Sequence, residues 1–147
     1  MSINNKIFVY GTLMDGLLQQ VLPDVNSHIK SKRKGKIIGR LFDIGDYPGA
    51  KPTTIKTKLI EGQVYELDPG SVNIVLDRMD EYEEYDPLNK DRSLYIRKIT
   101  PVITNNGRIS RAWVYWYNKP LKGKNEILDG SYKKHLGLKK VKINGDK

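Results

Sequence analysis

Apolar residues recur along this chain at two spacings. Over SVNIVLDRMDEYEEYDP, Ser71 to Pro87, they come every third or fourth position. At about 100° per residue, Val72, Val75, Leu76 and Met79 share one face, which predicts an amphipathic helix from Ser71 to about Glu83. Ser71 stands where a side-chain cap belongs, and Pro87 limits how far the helix can run. Glu83 follows Val72 by close to three full turns and so projects from the apolar face. Asp77, Glu81 and Glu84 point away, Asp80 sits at the margin, and Ile74 faces outward against the pattern. The competing reading is that the helix ends before Glu83 and leaves an ordinary surface acid.

Elsewhere the spacing is closer to two, with β-branched and aromatic residues in short runs. Strands are predicted at Lys6–Tyr10, Lys36–Ile44, Leu59–Glu66, Leu94–Val102 and Arg111–Tyr117. Turn signals separate them: Tyr47-Pro48-Gly49, Asp68-Pro69-Gly70 and Asn105-Asn106-Gly107, the last reading as a hairpin turn. The only other helix signal is a short one, Asp15–Leu22. Most connections are too short for crossover helices, so the sheet should be largely antiparallel. The expected class is α+β, mostly β: a small antiparallel or mixed β-barrel with a few packed helices. No repeat or linker marks a second domain, so residues 1–147 read as one domain with its core at about 6–117. Beyond Pro120 a polar, basic, Gly-punctuated tail runs to Lys147 and either packs on the barrel or frays.

Composition narrows the class. A chain of 147 residues with 38% hydrophobic and 29% charged residues suits a folded globular domain. No run of eighteen apolar residues exists to span a membrane, and the N-terminus lacks the pattern of a secretory signal. The chain has no cysteine, which excludes disulfides and thiol chemistry. The expected compartment is the cytoplasm. Net charge is +9, densest in KSKRKGK, Lys30 to Lys36, with more in the tail from Lys133. The aromatic residues are not interleaved with these clusters as a stacking platform requires, so the charge reads as a solvated surface, with nucleic-acid binding the weaker alternative. His28 and His135 are far apart in sequence and support neither a triad nor a metal site.

One stretch reads either as a strand running into a tight turn or as the mouth of a ligand site. In FVYGTLMDG, a buried strand ends on Tyr10, Gly11 and Thr12. Gly11 and Gly16 have the spacing of a phosphate loop, but Leu17-Leu18 stand where Lys and Ser/Thr belong. What Gly11 allows is close backbone approach, with the N–H groups of Gly11, Thr12 and Leu13 free to converge on an anion.

Several segments, in order, resemble the γ-glutamylcyclotransferase-like superfamily, including its γ-glutamylamine cyclotransferase, AIG2-like branch. Val9-Tyr10-Gly11-Thr12-Leu13 is similar to its signature loop, and Gly39-Arg40-Leu41-Phe42-Asp43 with Tyr47-Pro48-Gly49 to its next block. Glu61-Gly62-Gln63-Val64-Tyr65-Glu66-Leu67 resembles the strand that leads into its helix. Met79-Asp80-Glu81-Tyr82-Glu83-Glu84-Tyr85 resembles the segment with its catalytic glutamate, and Ser93-Leu94-Tyr95-Ile96-Arg97 with Ala112-Trp113-Val114-Tyr115 completes the pattern. The family usually has Gly directly after that glutamate, where this chain has Glu84; the Tyr85-Asp86-Pro87 register favours Glu83 over Glu81 and Glu84.

The resemblance implies an enzyme that cyclises a γ-glutamyl amine or peptide, releasing 5-oxoproline and an amine without metal or cofactor. It implies Glu83 as general acid/base and Tyr10, Gly11, Thr12 and Leu13 as substrate-binding residues. Tyr115 is a further candidate for a pocket hydroxyl, whereas Tyr95 and Arg97 read as strand supports. The expected partner is a small γ-glutamyl-containing substrate, its leaving amine met by the Asp43–Lys51 region and the tail. A catalytically idle barrel that binds a small amino-acid-like ligand is the alternative. Neither the leaving amine nor the oligomeric state is legible.

Overall fold

A computed structural model describes residues 4–14 and 17–137. Among the described residues five strands close into a barrel in the order β1-β5-β2-β6-β7. They are β1 (Lys6–Val9), β2 (Ile29–Ile38), β5 (Leu59–Leu67), β6 (Tyr95–Thr104) and β7 (Ile109–Tyr117). Neighbours pair antiparallel except β1 with β7, which close the barrel in parallel through Ile7 and Trp113. A second sheet carries β3 (Arg40–Asp43) between β4 (Pro48–Lys51) and β8 (Asn125–Glu126). Helices α1 (Leu17–Val21), α2 (Pro23–Asn26) and α3 (Val72–Tyr82) pack alongside the sheets.

Period-two alternation sorts the strand residues into two cores. Phe8, Ile37, Ile60, Val64, Val102, Ala112, Val114 and Trp116, drawn from all five barrel strands, fill its interior. The opposite faces carry Ile7, Val9, Tyr65, Leu67, Tyr115 and Tyr117, which pack against Val72, Val75, Leu76 and Met79 of α3. The aromatic run of β7 is therefore buried on both sides. Ile74 is 61% exposed, as the helical phase predicts.

Three expectations are corrected. The single strand predicted over Lys36–Ile44 is two strands in different sheets, broken at Gly39. A Cβ there would lie 2.9 Å from Ile60 Cδ1 and 3.2 Å from Trp116 Cζ3, so the chain leaves the barrel where only glycine fits against the core. Tyr47-Pro48-Gly49 is not the turn: the β3–β4 hairpin reverses at Ile44–Tyr47, with Gly45 at φ +128°, and Pro48 already belongs to β4. Ser71 stands at the head of α3 but makes no side-chain capping bond.

The Lys30–Lys36 cluster lies within β2, its lysines exposed. The early part of the tail is tied down. Strand β8 pairs with β3, Glu126 binds Arg40 at 2.5 Å and Lys58 at 3.3 Å, and Ile127 and Tyr132 are buried. Residues 132–137 are helical, and His135 meets Asp43 at 2.8 Å. Asp15 and Gly16, expected to open α1, and the tail from 138 lie outside the described residues. No described helix is long and apolar enough to cross a membrane.

Candidate active site

Strand β1 runs into the loop Tyr10–Met14, and α3 ends beside it. Between them lies a cavity of about 240 Å³. Its lining includes Tyr10, Gly11, Thr12, Leu13, Glu83 and Tyr115, so the fold brings all six residues singled out in the sequence to one hollow. The remaining wall includes Tyr47 and Pro48, from the region expected near the leaving amine, Glu84, and three residues that the sequence did not single out for the site: Met79, Tyr82 and Tyr95. Tyr95 is the one whose placement was legible in principle, because it lies in the Ser93–Arg97 block of the resemblance and alternates onto the face of Tyr117.

The helix does end before Glu83, as the competing reading held, yet the acid is not a surface group. Tyr82 is the last helical residue and Glu83 the cap, its N–H bonded to Met79 O at 2.8 Å. Glu84 N–H then returns to Glu81 O at 3.2 Å and Tyr85 N–H to Asp80 O at 2.8 Å. This paired closure requires a left-handed residue just past the cap, the usual place of glycine. Glu84 takes that conformation at φ +54°, the only described non-glycine residue with positive φ. Glu84 is thus a strained residue in this closure, and the closure sets Glu83 at the cavity. Burial pushes the Glu83 carboxyl up from 4.5 to about 8.

Four tyrosines surround this acid. The Tyr10 hydroxyl donates to Tyr115 O at 2.5 Å and accepts from Ala50 N–H at 3.3 Å, so it is engaged by backbone on both sides. The Tyr95 hydroxyl donates to Pro48 O at 2.6 Å, and that of Tyr115 to Asp80 Oδ1 at 2.6 Å. Burial, followed for Tyr10 by the charge of Glu83, keeps these phenols protonated far above their ordinary range. Tyr47 is raised as well, by burial first and then by its acidic and phenolic neighbours.

The loop is fixed by its own packing. Leu13 O accepts the Tyr65 hydroxyl at 2.6 Å, and Met14 N–H bonds Gly11 O at 3.2 Å. A Cβ on Gly11 would sit 2.6 Å from Pro48 Cγ. The glycine thus permits approach of Pro48, a reason different from the ligand approach expected. The N–H groups of Gly11, Thr12 and Leu13 bond no described residue. Trp113 lies between Arg97 and the Asn4 backbone, outside the cavity lining.

One hollow on a five-stranded barrel is therefore lined by both the capping carboxylate and the glycine loop. The chain belongs to the family described as Gamma-glutamyl cyclotransferase, AIG2-like, whose profile matches residues 7–134. Among solved structures, ytfP from Escherichia coli is similar at 26% identity and a TM-score of 0.60, covering 86% of this chain and 95% of that one. An AIG2-like protein from mouse has 23% identity and a TM-score of 0.60 over 80% of each chain. YkqA from Bacillus subtilis has 23% identity and a TM-score of 0.67; the match covers 95% of this chain and only 43% of YkqA. These last two likenesses concern the fold. No curated protein matches the sequence.

Proposed function

We propose that this protein converts a γ-glutamyl amine or γ-glutamyl peptide into 5-oxoproline and a free amine, with Glu83 relaying the protons. The observation that carries this reading is the capping Glu83 carboxyl in the same small cavity as the unbonded N–H groups of Gly11, Thr12 and Leu13.

The substrate enters with its α-amine as an ammonium, whose ordinary pKa is about 8. Glu83, drawn up to about 8, is matched to it, so the first proton passes at little cost. The freed amine nitrogen attacks the γ-carbonyl carbon. A C–N bond forms and the carbonyl electrons move to oxygen, where the loop N–H groups stabilise the oxyanion. Glu83 hands the first proton to the leaving nitrogen, is thereby free to take the second from the ring nitrogen, and passes that one on as the C–N bond to the leaving group breaks. Both protons end on the leaving amine, so the reaction needs no co-reactant.

Orientation does much of the work. Holding the glutamyl unit folded recovers the advantage of an intramolecular reaction, up to about 7–11 kcal/mol at the extreme. The cavity lies below the roughly 300 Å³ at which drug-sized pockets begin, which suits an amino-acid-sized group. The leaving amine then extends past Tyr82 and Glu84, the exposed part of the lining. The test is a panel of γ-glutamyl amines, peptides and amino acids assayed for 5-oxoproline. Release from at least one, abolished in Glu83→Gln, supports the reading; no release from any member, with tight binding retained, favours an idle binding barrel.

A further inference from the structure

Asp80 is the polar exception on the packed face of α3, only 7% exposed. Arg97, from β6, grips it with two donors: Nε to Oδ1 at 2.7 Å and Nη2 to Oδ2 at 3.2 Å. The guanidinium is itself flanked by the Trp113 ring, 4.5 Å from its centroid, and the Tyr85 ring at 5.6 Å. A forked pair stacked between aromatics fixes the carboxylate in plane as well as in place. Stability alone is a weak reason for such a pair, because buried ion pairs can often be replaced by apolar residues without loss.

What the pair touches next is the cavity. The Tyr115 hydroxyl donates to Asp80 Oδ1 at 2.6 Å, and it has only one proton to give. Asp80 accepts from both Arg97 donors and from the phenol, so Tyr115 is the donor in this bond. The phenol oxygen makes no other hydrogen bond to a described residue, and Tyr115 lines the hollow beneath Glu83. Its unshared lone pairs therefore remain as acceptors. The polar group of the substrate that offers donors at this end is the α-ammonium.

We propose that Asp80 and Arg97 are positioning residues that orient the Tyr115 hydroxyl, so that its oxygen accepts a hydrogen bond from the substrate's α-ammonium beside Glu83. This rests on the cyclotransferase reading and adds to it the group that holds the nucleophile in line before proton transfer.

The experiment is a double-mutant cycle of Tyr115→Phe and Asp80→Asn, read as kcat and KM for 5-oxoproline release with thermal unfolding alongside. Tyr115→Phe should lower kcat/KM by about 10- to 100-fold, the range of a hydrogen bond to a charged group. Asp80→Asn should lower it at least several-fold, and the double variant should be no worse than Tyr115→Phe alone. A glutaric monoamide, the same substrate without its α-amine, should inhibit wild type and Tyr115→Phe equally, because it has no ammonium to donate to the phenol oxygen. Losses that multiply in the double variant, or a Tyr115→Phe that weakens the monoamide as much as the substrate, would overturn the proposal while leaving the cyclotransferase reading intact. A wild type that releases no 5-oxoproline from any substrate overturns both. If Asp80→Asn does not fold, Arg97→Lys, which keeps the charge but loses the fork, takes its place in the cycle with the same expectations.

Discussion

Gly11 and Pro48 stand so close that the glycine's hydrogen occupies the only space left, with a Cβ position 2.6 Å from Pro48 Cγ and 2.9 Å from Cδ. Pro48 O also receives the Tyr95 hydroxyl at 2.6 Å. The contact therefore joins the β1 loop, strand β4 and strand β6 around one cavity. Gly11→Ala should push the rigid proline ring and the wall behind it. We expect a loss of about 1–3 kcal/mol of stability, as for an overpacked core, together with a fall in kcat/KM. Denaturant titration and a 5-oxoproline assay check the two halves; an unchanged protein would mean that the loop gives way freely.

Glu83→Gln keeps size and hydrogen-bonding shape but removes the proton relay. General acid–base assistance is worth about 10²–10⁴-fold, so turnover should collapse by that order with KM within a few-fold. Glu81→Gln and Glu84→Gln should stay near wild type. A dead Glu84→Gln variant would move the catalytic role by one residue; three active variants would remove it from this segment.

The raised Glu83 carboxyl has a sign to test in stability. Its folded value of about 8 lies above the ordinary 4.5, so between those limits the native state holds a proton that the unfolded state has released. Wild-type stability should then fall as pH rises from 4.5 to 8 on this group's account. Glu83→Gln is free of that loss. Its advantage should be near zero below pH 4.5 and reach about 1–3 kcal/mol above pH 8, allowing for the partial exposure of the site. Thermal unfolding of both proteins across that range gives the answer, and a constant difference would contradict a shifted carboxyl.

The same match governs rate. The productive pair is an ionised Glu83 and a protonated substrate amine, so kcat/KM should climb about tenfold per pH unit toward 8 and decline above it as the free ammonium, of pKa about 8, titrates. A profile flat from pH 6 to 9 would exclude Glu83 as the group that accepts the proton.

Glu84→Gly should stabilise the protein. At φ +54° the glutamate suffers a steric cost of about 1–2 kcal/mol that glycine lacks, offset in part by glycine's greater freedom when unfolded. A net gain of about 0.5–1 kcal/mol is expected, with none for Glu84→Ala. Comparing the urea midpoints of the two variants separates conformational relief from simple loss of charge.

Neutralising Lys30, Lys32, Lys34 and Lys36 should leave kcat and KM within about twofold. All four are exposed on β2 and none lines the cavity; the Lys36–Glu61 contact, at 4.0 Å between exposed groups, contributes little. A large rise in KM would assign the patch a part in substrate capture.

Periodicity determined much of this molecule. The spacing of Val72, Val75, Leu76 and Met79 settles which face of α3 is buried, and the period of two in β7 sends Ala112, Val114 and Trp116 to one core and Tyr115 and Tyr117 to the other. Such patterns are local, because each side chain's direction follows from its neighbours along the backbone. Tyr10–Leu13 and Glu83, singled out in the sequence, do line one cavity, but Glu83 reaches it as the cap of α3 and not as part of the helical phase that first drew attention to it. What the sequence could not carry was the partner of each group. Gly39 breaks a continuous strand pattern because Ile60 and Trp116, far away in the chain, occupy the space of a side chain. Asp80 looked marginal on its helix until β6 and β7 brought Arg97 and Tyr115 to it. Glu83 is past the last helical turn, and only the left-handed Glu84 and the wall formed by Pro48 and Tyr95 make it a pocket residue and not a surface acid. These are contacts between segments tens of residues apart, and burial, charge pairing and the shift of a carboxyl arise only when the fold brings them together.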